Sequence, residues 1–279
     1  MSQHRTSRRN HITIGANPSE LTPFTFARHT IACERHPHRN EDSLITDEQS
    51  GLAAVFDGVG GSAAGEIASQ TAAQAARKGW KRLLQRVQKG RRIQGFLQDC
   101  SEINLCTILE QLIIEADEQV RSQGAHRAGT NDLATTVAIA ALCRLPKSKG
   151  YSMVFAHVGD SRIYLLRANE PLKRLTSDDG LLAKLVENQV VNDTDAFRID
   201  QAMRAEQLSD TEYSYFRLRG GITQALGDEE IEHILRTGAR TTAARLLIEH
   251  SIRRSHEERE LTVRAKPDDM SAVVMTCRF

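Results

Sequence analysis

The sequence predicts an α+β fold, a β-sandwich of two antiparallel sheets flanked by helical layers. Strand-like runs follow strand-like runs, two long helical patterns sit side by side, and a last strand-like run closes the chain. This grouping differs from the regular alternation of strand and helix that builds parallel sheets.

Taken in order, 24–33, 43–46 and 52–56 are β-rich apolar runs, the latter two separated by a polar turn at 47–51. An alanine-rich stretch, 63–88, reads as a long helix, and a basic stretch at 89–92 ends it. A second helix is expected over 102–123, because Leu105, Leu109, Leu112, Ile113, Ala116 and Val120 recur at helical spacing. Residues 124–131 read as loop. Strands are expected at 134–142, 151–158 and 162–167, with turns at 146–150 and at Gly159-Asp160. Asp178 and Asp179 are expected to cap a short helix ending near Asn188. The polar stretch 192–220 carries no clear period. Helices are expected again at 229–236 and 242–254, then a strand at 270–276. Residues 1–20 are expected to form a disordered tail and 21–279 one domain.

Composition narrows the function. The chain has 279 residues, 40% of them hydrophobic, enough for a substantial core. The mean hydropathy of −0.42 and the lack of any long apolar run argue against a membrane span. A net charge of +1 gives no global attraction to nucleic acid or to a membrane surface. The basic stretch 77–92 interleaves Lys and Arg with Leu83, Leu84 and Val87, as a solvated amphipathic helix does. The five cysteines form no CxxC pair, which argues against zinc and for a reducing, cytoplasmic setting. Residues 1–11 lack the apolar core of a secretory signal.

Chemistry concentrates where the strand-like runs end. The run Leu52-Ala53-Ala54-Val55-Phe56 delivers Asp57 to a glycine-rich turn, Gly58-Val59-Gly60-Gly61. Glycine lets the backbone approach closely, so a carbonyl can join a carboxylate as an oxygen ligand. Asn40-Glu41-Asp42, Gly159-Asp160-Ser161-Arg162 and Pro267-Asp268-Asp269 place further acids at other strand ends. Brought to one rim, these carboxylates would repel one another without a cation. An all-oxygen ligand set suits Mg²⁺ or Mn²⁺.

In order along the chain, the motifs are Arg39-Asn40-Glu41-Asp42-Ser43, Val55-Phe56-Asp57-Gly58-Val59-Gly60-Gly61, Ala134-Thr135-Thr136, His157-Val158-Gly159-Asp160-Ser161-Arg162-Ile163-Tyr164, Leu175-Thr176-Ser177-Asp178, Ile222-Thr223-Gln224-Ala225-Leu226-Gly227 and Asp268-Asp269-Met270-Ser271-Ala272-Val273-Val274. With these motifs the chain resembles the metal-dependent protein phosphatases of type 2C, in their bacterial branch. The resemblance implies a serine/threonine phosphatase that hydrolyses phosphoserine and phosphothreonine with two Mn²⁺ or Mg²⁺ ions and a metal-activated water. It implies that Asp57 bridges the ions and that Asp268 serves the first. The Gly58 carbonyl and the pair Glu41 and Asp42 would serve the second, directly or through water. Asp160 would serve a weaker third ion, and Asp269 stands where the family usually has Asn. The implied partners are a phosphorylated protein and a cognate serine/threonine kinase, with neither nucleic acid nor membrane.

Two departures accompany the resemblance. The family's phosphate-binding arginine position is Pro37 here, flanked by Arg35 and Arg39. Arg35 is the expected substitute, because Pro37 can re-aim the chain, with Arg39 as the second candidate. Both could also simply face solvent. His36 and His38 read as surface residues of the same loop. The second departure is a shortened fold. Gly227-Asp228-Glu229-Glu230 runs directly into a helix, with no intervening strand and no Ser-Asp-Gly turn. The resemblance assigns that missing Asp to the first ion, so the first site is expected to be weakened. Asp228 and Asp178-Asp179 are the conceivable stand-ins, and 261–266 is an extra strand-like stretch that could fill part of the gap. The alternative function is a catalytically impaired pseudophosphatase that binds phosphoproteins or a kinase.

Overall fold

A computed structural model describes residues 10–14, 24–60, 64–88, 102–143, 151–218, 225–258 and 260–277. Its strands are β1 (Asn10–Ile14), β2 (Phe24–Ile31), β3 (Asp42–Asp47), β4 (Leu52–Gly60), β5 (Leu133–Thr135), β6 (Val137–Cys143), β7 (Tyr151–Val158), β8 (Tyr164–Leu165), β9 (Lys173–Arg174) and β10 (Met270–Cys277). A six-stranded antiparallel sheet runs in the order β1-β7-β6-β4-β3, with β5 on the end of β4. β2 and β10 form a second antiparallel pair, and β8 and β9 a third. The expected helix, sheet, sheet, helix layering is present.

Two helices, α1 (Ala64–Gln88) and α2 (Glu102–Gln119), cover one face of the large sheet. Alternation along β4 turns Leu52, Ala54 and Phe56 toward them. The buried alanines of α1 (Ala68, Ala72, Ala76) let it lie close to the strands. At Gly79 an added Cβ would meet Leu112 Cδ2 of α2 at 2.4 Å, so any larger residue would require Leu112 to shift. Trp80 is fully buried and donates its Nε1–H to Ser50 Oγ at 2.7 Å, which satisfies the indole in the core. On the other face, Ala140, Leu142, Met153 and Phe155 meet Phe26 of β2 and Met275 and Cys277 of β10. A C-terminal helix packs behind that second pair; with α3 (Ala125–Ala128), α4 (Leu181–Glu187), α5 (Asp193–Gln201), α6 (Asp210–Arg217) and α7 (Asp228–Thr237) counted before it, it is α8 (Ala243–Ser255).

Several expectations need correcting. Within 1–20, read as a disordered tail, Asn10–Ile14 is an edge strand paired with β7. The second helix continues through a π-helical turn, Val120–Gly124, into α3, where loop was expected. The strand expected at 162–167 shrinks to two paired residues. Residues 261–266 form turns and no strand, because their central Arg264 is drawn inside. The Arg264 guanidinium is buried and donates to the carbonyls of Asp200, Ala202 and Leu226. The polar stretch 192–220 contains α5 and α6, capped by Asn192 and by a Ser209–Glu212 capping box. The expected elements at 89–92, 146–150 and 222–224 lie outside the described residues.

A buried ionic network joins these pieces. Arg162 forks onto Asp178 (2.9 and 3.2 Å from Nε) and reaches Asp200 Oδ1 at 2.7 Å. Arg174 binds the other Asp200 oxygen at 2.8 Å. Burial alone would raise the Asp200 carboxyl, but the two guanidinium groups outweigh it and hold it well below the ordinary range. Removing one member of such a network strands a buried charge. Asp200→Asn should therefore lower stability by about 3–5 kcal/mol, measured by chemical denaturation. A depressed carboxyl stabilises above its unfolded value of about 4 and loses that contribution as pH falls toward the folded value. Wild type should accordingly lose stability on acidification below about pH 4, more steeply than the variant.

Candidate metal centre

Strand pairing brings the acids together. In the β3–β4 register Asp42 lies directly opposite Asp57. The Gly58 N–H donates to the Glu41 carbonyl at 3.0 Å. A Cβ on Gly58 would lie 2.0 Å from the Gly65 carbonyl oxygen and 2.6 Å from that of Glu41, so no other residue fits. The Ala134-Thr135-Thr136 motif pins the Asp57 backbone. Its carbonyl accepts from Thr136 N–H at 2.8 Å and from the Thr135 hydroxyl at 2.9 Å. Thr136 Oγ1 also meets Ser161 Oγ at 2.7 Å, which fixes the turn that carries buried Asp160. Gly159 holds that turn at φ 95°, where a Cβ would strike Thr136 at 2.7 Å.

Asp268 and Asp269 arrive at the start of β10. Asp269 ties two backbone segments together, since Oδ1 accepts the Cys33 N–H at 2.6 Å and Oδ2 the Glu41 N–H at 2.7 Å. An Asn amide would set an N–H against one of these donors, so Asp suits the position. The same carboxylate lies 3.6 Å from His36 Nδ1, which is 2.9 Å from the Arg39 carbonyl. His36 is thus part of the centre's wall, contrary to its reading as a surface residue, while His38 is exposed.

The electrostatics are those of crowded acids. Burial, then Asp42, Asp268, Asp160 and Asp269, push the Asp57 carboxyl up to about 9. Burial and the acids Asp269, Asp268 and Glu41 push Asp42 up to about 7 against a hydrogen bond from Ser271. Glu41 is also raised, by burial first, although Arg39 opposes the shift. Asp42 Oδ1 and Glu41 Oε1 are buried without a hydrogen bond, the latter 3.1 Å from Arg39 Nη2. Among the described residues no group of three or more His, Cys, Asp or Glu is placed to hold a metal ion as it stands. The acids converge as a negative field with unmatched oxygens, and this donor set fits a hard divalent cation that draws them in.

The expected site residues Glu41, Asp42, Asp57, Gly58, Asp160 and Asp268 are thus gathered, and Arg39 stands beside them. Arg35, the expected phosphate clamp, is exposed, while Arg39 lies 3.1 Å from Glu41. Each stand-in for the missing Asp already has a partner within the protein. Asp178 is spent on Arg162, and Asp179 accepts the Gly159 N–H at 3.0 Å. The cap of α4 is Gly180, with no side-chain bond. Asp228 accepts from the Tyr164 hydroxyl at 3.0 Å and lies 3.9 Å from Arg174.

A carboxyl raised by folding stabilises below its unfolded pKa and loses that contribution as pH climbs through the folded value. The metal-free protein should therefore melt progressively lower from about pH 4 toward pH 9, and Mn²⁺ should restore the loss most strongly at the alkaline end. Asp57→Asn should flatten the metal-free profile and abolish most of the Mn²⁺ response in differential scanning fluorimetry.

Comparison with known proteins agrees with this geometry. A family model described as Protein phosphatase 2C matches residues 32–218. The chain is similar to the serine/threonine phosphatase stp of Listeria monocytogenes serotype 4b, 26% identical over 221 residues, covering 72% of this chain and 79% of that protein. The Listeria welshimeri stp is 29% identical over 162 residues, covering 57% of this chain and 56% of that protein. Among solved structures, the Mycobacterium tuberculosis serine/threonine phosphatase PstP/Ppp aligns with a TM-score of 0.61 at 20% identity, over 92% of this chain and 99% of that one. A PstP catalytic domain in complex with two manganese ions aligns at a TM-score of 0.59 and 20% identity, over 90% of this chain and 97% of that one. With a family match across two thirds of its length and the acids of its motifs on one rim, the chain is a member of the protein phosphatase 2C family.

Proposed function

We propose that this protein is a Mn²⁺- or Mg²⁺-dependent serine/threonine phosphatase, with phosphoserine and phosphothreonine of proteins as substrates. The observation that carries the reading is the pairing of Asp42 and Asp57 across β3 and β4 in a buried field shared with Asp160 and Asp268. Asp57 and Asp268 would hold one cation. The Gly58 carbonyl, Glu41 and Asp42 would hold the second, directly or through water, and Asp160 an outlying third. When bound, the two cations supply a water acidified for attack on phosphorus and neutralise charge on the phosphoryl oxygens. The chain's own groups do the positioning. Arg39, anchored on Glu41, presents a guanidinium for the phosphate. Thr135, Thr136 and Ser161 hold Asp57 and the Asp160 turn in fixed register.

Asp178 and Asp228 are committed to Arg162 and Tyr164, so the first cation would rest on fewer carboxylates than the family usually supplies. We therefore expect activity with a raised Mn²⁺ requirement and not the silent pseudophosphatase, since burial and neighbouring acids hold Asp57 and Asp42 well above their ordinary values even with Arg39 beside Glu41, His36 beside Asp269 and Lys266 beside Asp268. A cognate serine/threonine kinase would supply the substrate. No helix among the described residues is long and apolar enough to cross a membrane, and a sequence whose cysteines form no CxxC pair fits a cytoplasmic setting.

Turnover of p-nitrophenyl phosphate and of a phosphothreonine peptide, followed against Mn²⁺ concentration, tests the reading. Activity should saturate with Mn²⁺ and vanish in Asp57→Asn. Arg39→Ala should raise KM about 10–100-fold, the equivalent of a charge-assisted hydrogen bond, while Arg35→Ala leaves it unchanged. Retained phosphoprotein binding without turnover at any Mn²⁺ level would decide for the pseudophosphatase.

A further inference from the structure

The stretch Ser177-Asp178-Asp179-Gly180 leaves α4 without a side-chain cap, and its two acids turn back onto the loop that carries Asp160. Gly159, directly before Asp160, has φ 95°, a conformation that glycine enters freely and leaves as freely. Asp179 meets this glycine twice. Its Oδ2 accepts the Gly159 N–H at 3.0 Å, and its own N–H donates to the Gly159 carbonyl at 3.0 Å. The first bond holds the peptide plane before Gly159 and the second holds the plane after it. A residue has only two soft dihedrals between two rigid planes, so this reciprocal pair sets both angles of Gly159. The bond to the carboxylate is charge-assisted, which makes it the stronger kind.

The other side of Asp160 is held separately. Ser161 Oγ lies 2.7 Å from Thr136 Oγ1, which also accepts the Asp57 N–H at 3.2 Å. Further along, the Ile163 N–H donates to Thr176 Oγ1 at 3.0 Å, and the Ile163 carbonyl accepts the Leu175 N–H at 2.8 Å. Arg162 forks onto Asp178. Residues 175–179 thus lie as a splint along 159–163, and buried Asp160 sits between its two fixed neighbours. Thr136 registers the Ser161 side against the Asp57 strand. The Asp179 pair is the part of the splint that acts on the residue before Asp160.

We propose that Asp179 is a positioning residue, which sets the Gly159 backbone and thereby aims the Asp160 carboxylate at the metal centre without being a ligand itself. That the aimed carboxylate meets a cation rests on the phosphatase reading; the pinning of the turn does not. The role needs an acceptor oxygen on residue 179 and no negative charge. Asn supplies that oxygen and Ala does not. A ligand would fail in both variants, because neither brings the charge that a hard cation draws on. Asp179 is exposed, so neither variant disturbs the core.

Hydrogen–deuterium exchange on the metal-free full chain reads the pinning directly. Asp179→Ala should speed exchange of the Gly159 amide about tenfold, and Asp179→Asn should leave it near the wild-type rate. Calorimetric titration with Mn²⁺ reads the consequence. Asp179→Ala should weaken the site assigned to Asp160 about 10–100-fold, the range for an outer-shell partner of a metal site, while Asp179→Asn retains it. Asp160→Asn should weaken the same site, and adding Asp179→Ala to it should cost nothing more, since one residue acts through the other. Unchanged exchange in Asp179→Ala overturns the proposal, and so does faster exchange with Mn²⁺ binding unmoved. A Mn²⁺ loss as large in Asp179→Asn as in Asp179→Ala would make Asp179 a ligand and overturns it too. So does a further loss when Asp179→Ala joins Asp160→Asn, which would place its action on another group. Wild type that shows the expected exchange and Mn²⁺ pattern but hydrolyses no phosphopeptide defeats the phosphatase reading alone. An active wild type whose exchange and Mn²⁺ binding ignore Asp179→Ala defeats the positioning role alone.

Discussion

Mutual repulsion among buried carboxylates is the constraint on which this structure turns. Asp57 and Asp42 face each other across two paired strands, and Asp160, Asp268 and Asp269 add to the same negative field. Arg39, His36 and Lys266 lie beside Glu41, Asp269 and Asp268, yet the carboxyls of Asp57 and Asp42 stay raised. A protein tolerates such crowding when a cation is part of the folded state, because the attraction then replaces the lost hydration. The stability of this end of the sandwich and its chemistry are therefore one quantity.

The scaffold that enforces the crowding is mostly uncharged. Gly58 admits the Gly65 carbonyl where any side chain would collide, and Thr136 couples the Asp57 strand to the Asp160 turn. Asp269 spends both oxygens on backbone N–H groups and so ties the loop bearing Arg39 to the first turn of the last strand. The compensated charges sit apart from this centre, in the network of Arg162, Arg174, Asp178 and Asp200. Asp178, an acid that looks available in the sequence, is engaged in that network by Arg162.

The main strands and the two long helices were legible because their patterns are local: β-branched runs ending in glycine turns, and alanine or leucine at helical spacing. The acids of the centre were legible because the apolar runs stop at or begin beside them, although β4 itself continues past Asp57 to Gly60. The failures are of another kind. Ser209 and Glu212 carry a readable capping box, yet α6 between polar flanks lacks the apolar period that would reveal it. Asp178-Asp179 resembles a helix cap, but a partner in the preceding turn, Arg162, competes better. His36 reads as solvent-facing until Asp269, far along the chain, is seen beside it. Leu261–Lys266 has strand composition, but burying the Arg264 guanidinium against three carbonyls bends it into turns. Long-range polar contacts overrode the local preference at Asp178, His36 and Arg264.

The most direct measurement is anomalous diffraction at the manganese edge from crystals grown with Mn²⁺. Carboxylate crowding relieved by cations predicts a manganese peak within coordination distance of both Asp57 and Asp268, with a second peak by the Gly58 carbonyl. Full-occupancy manganese elsewhere, with these carboxylates unligated, would contradict it.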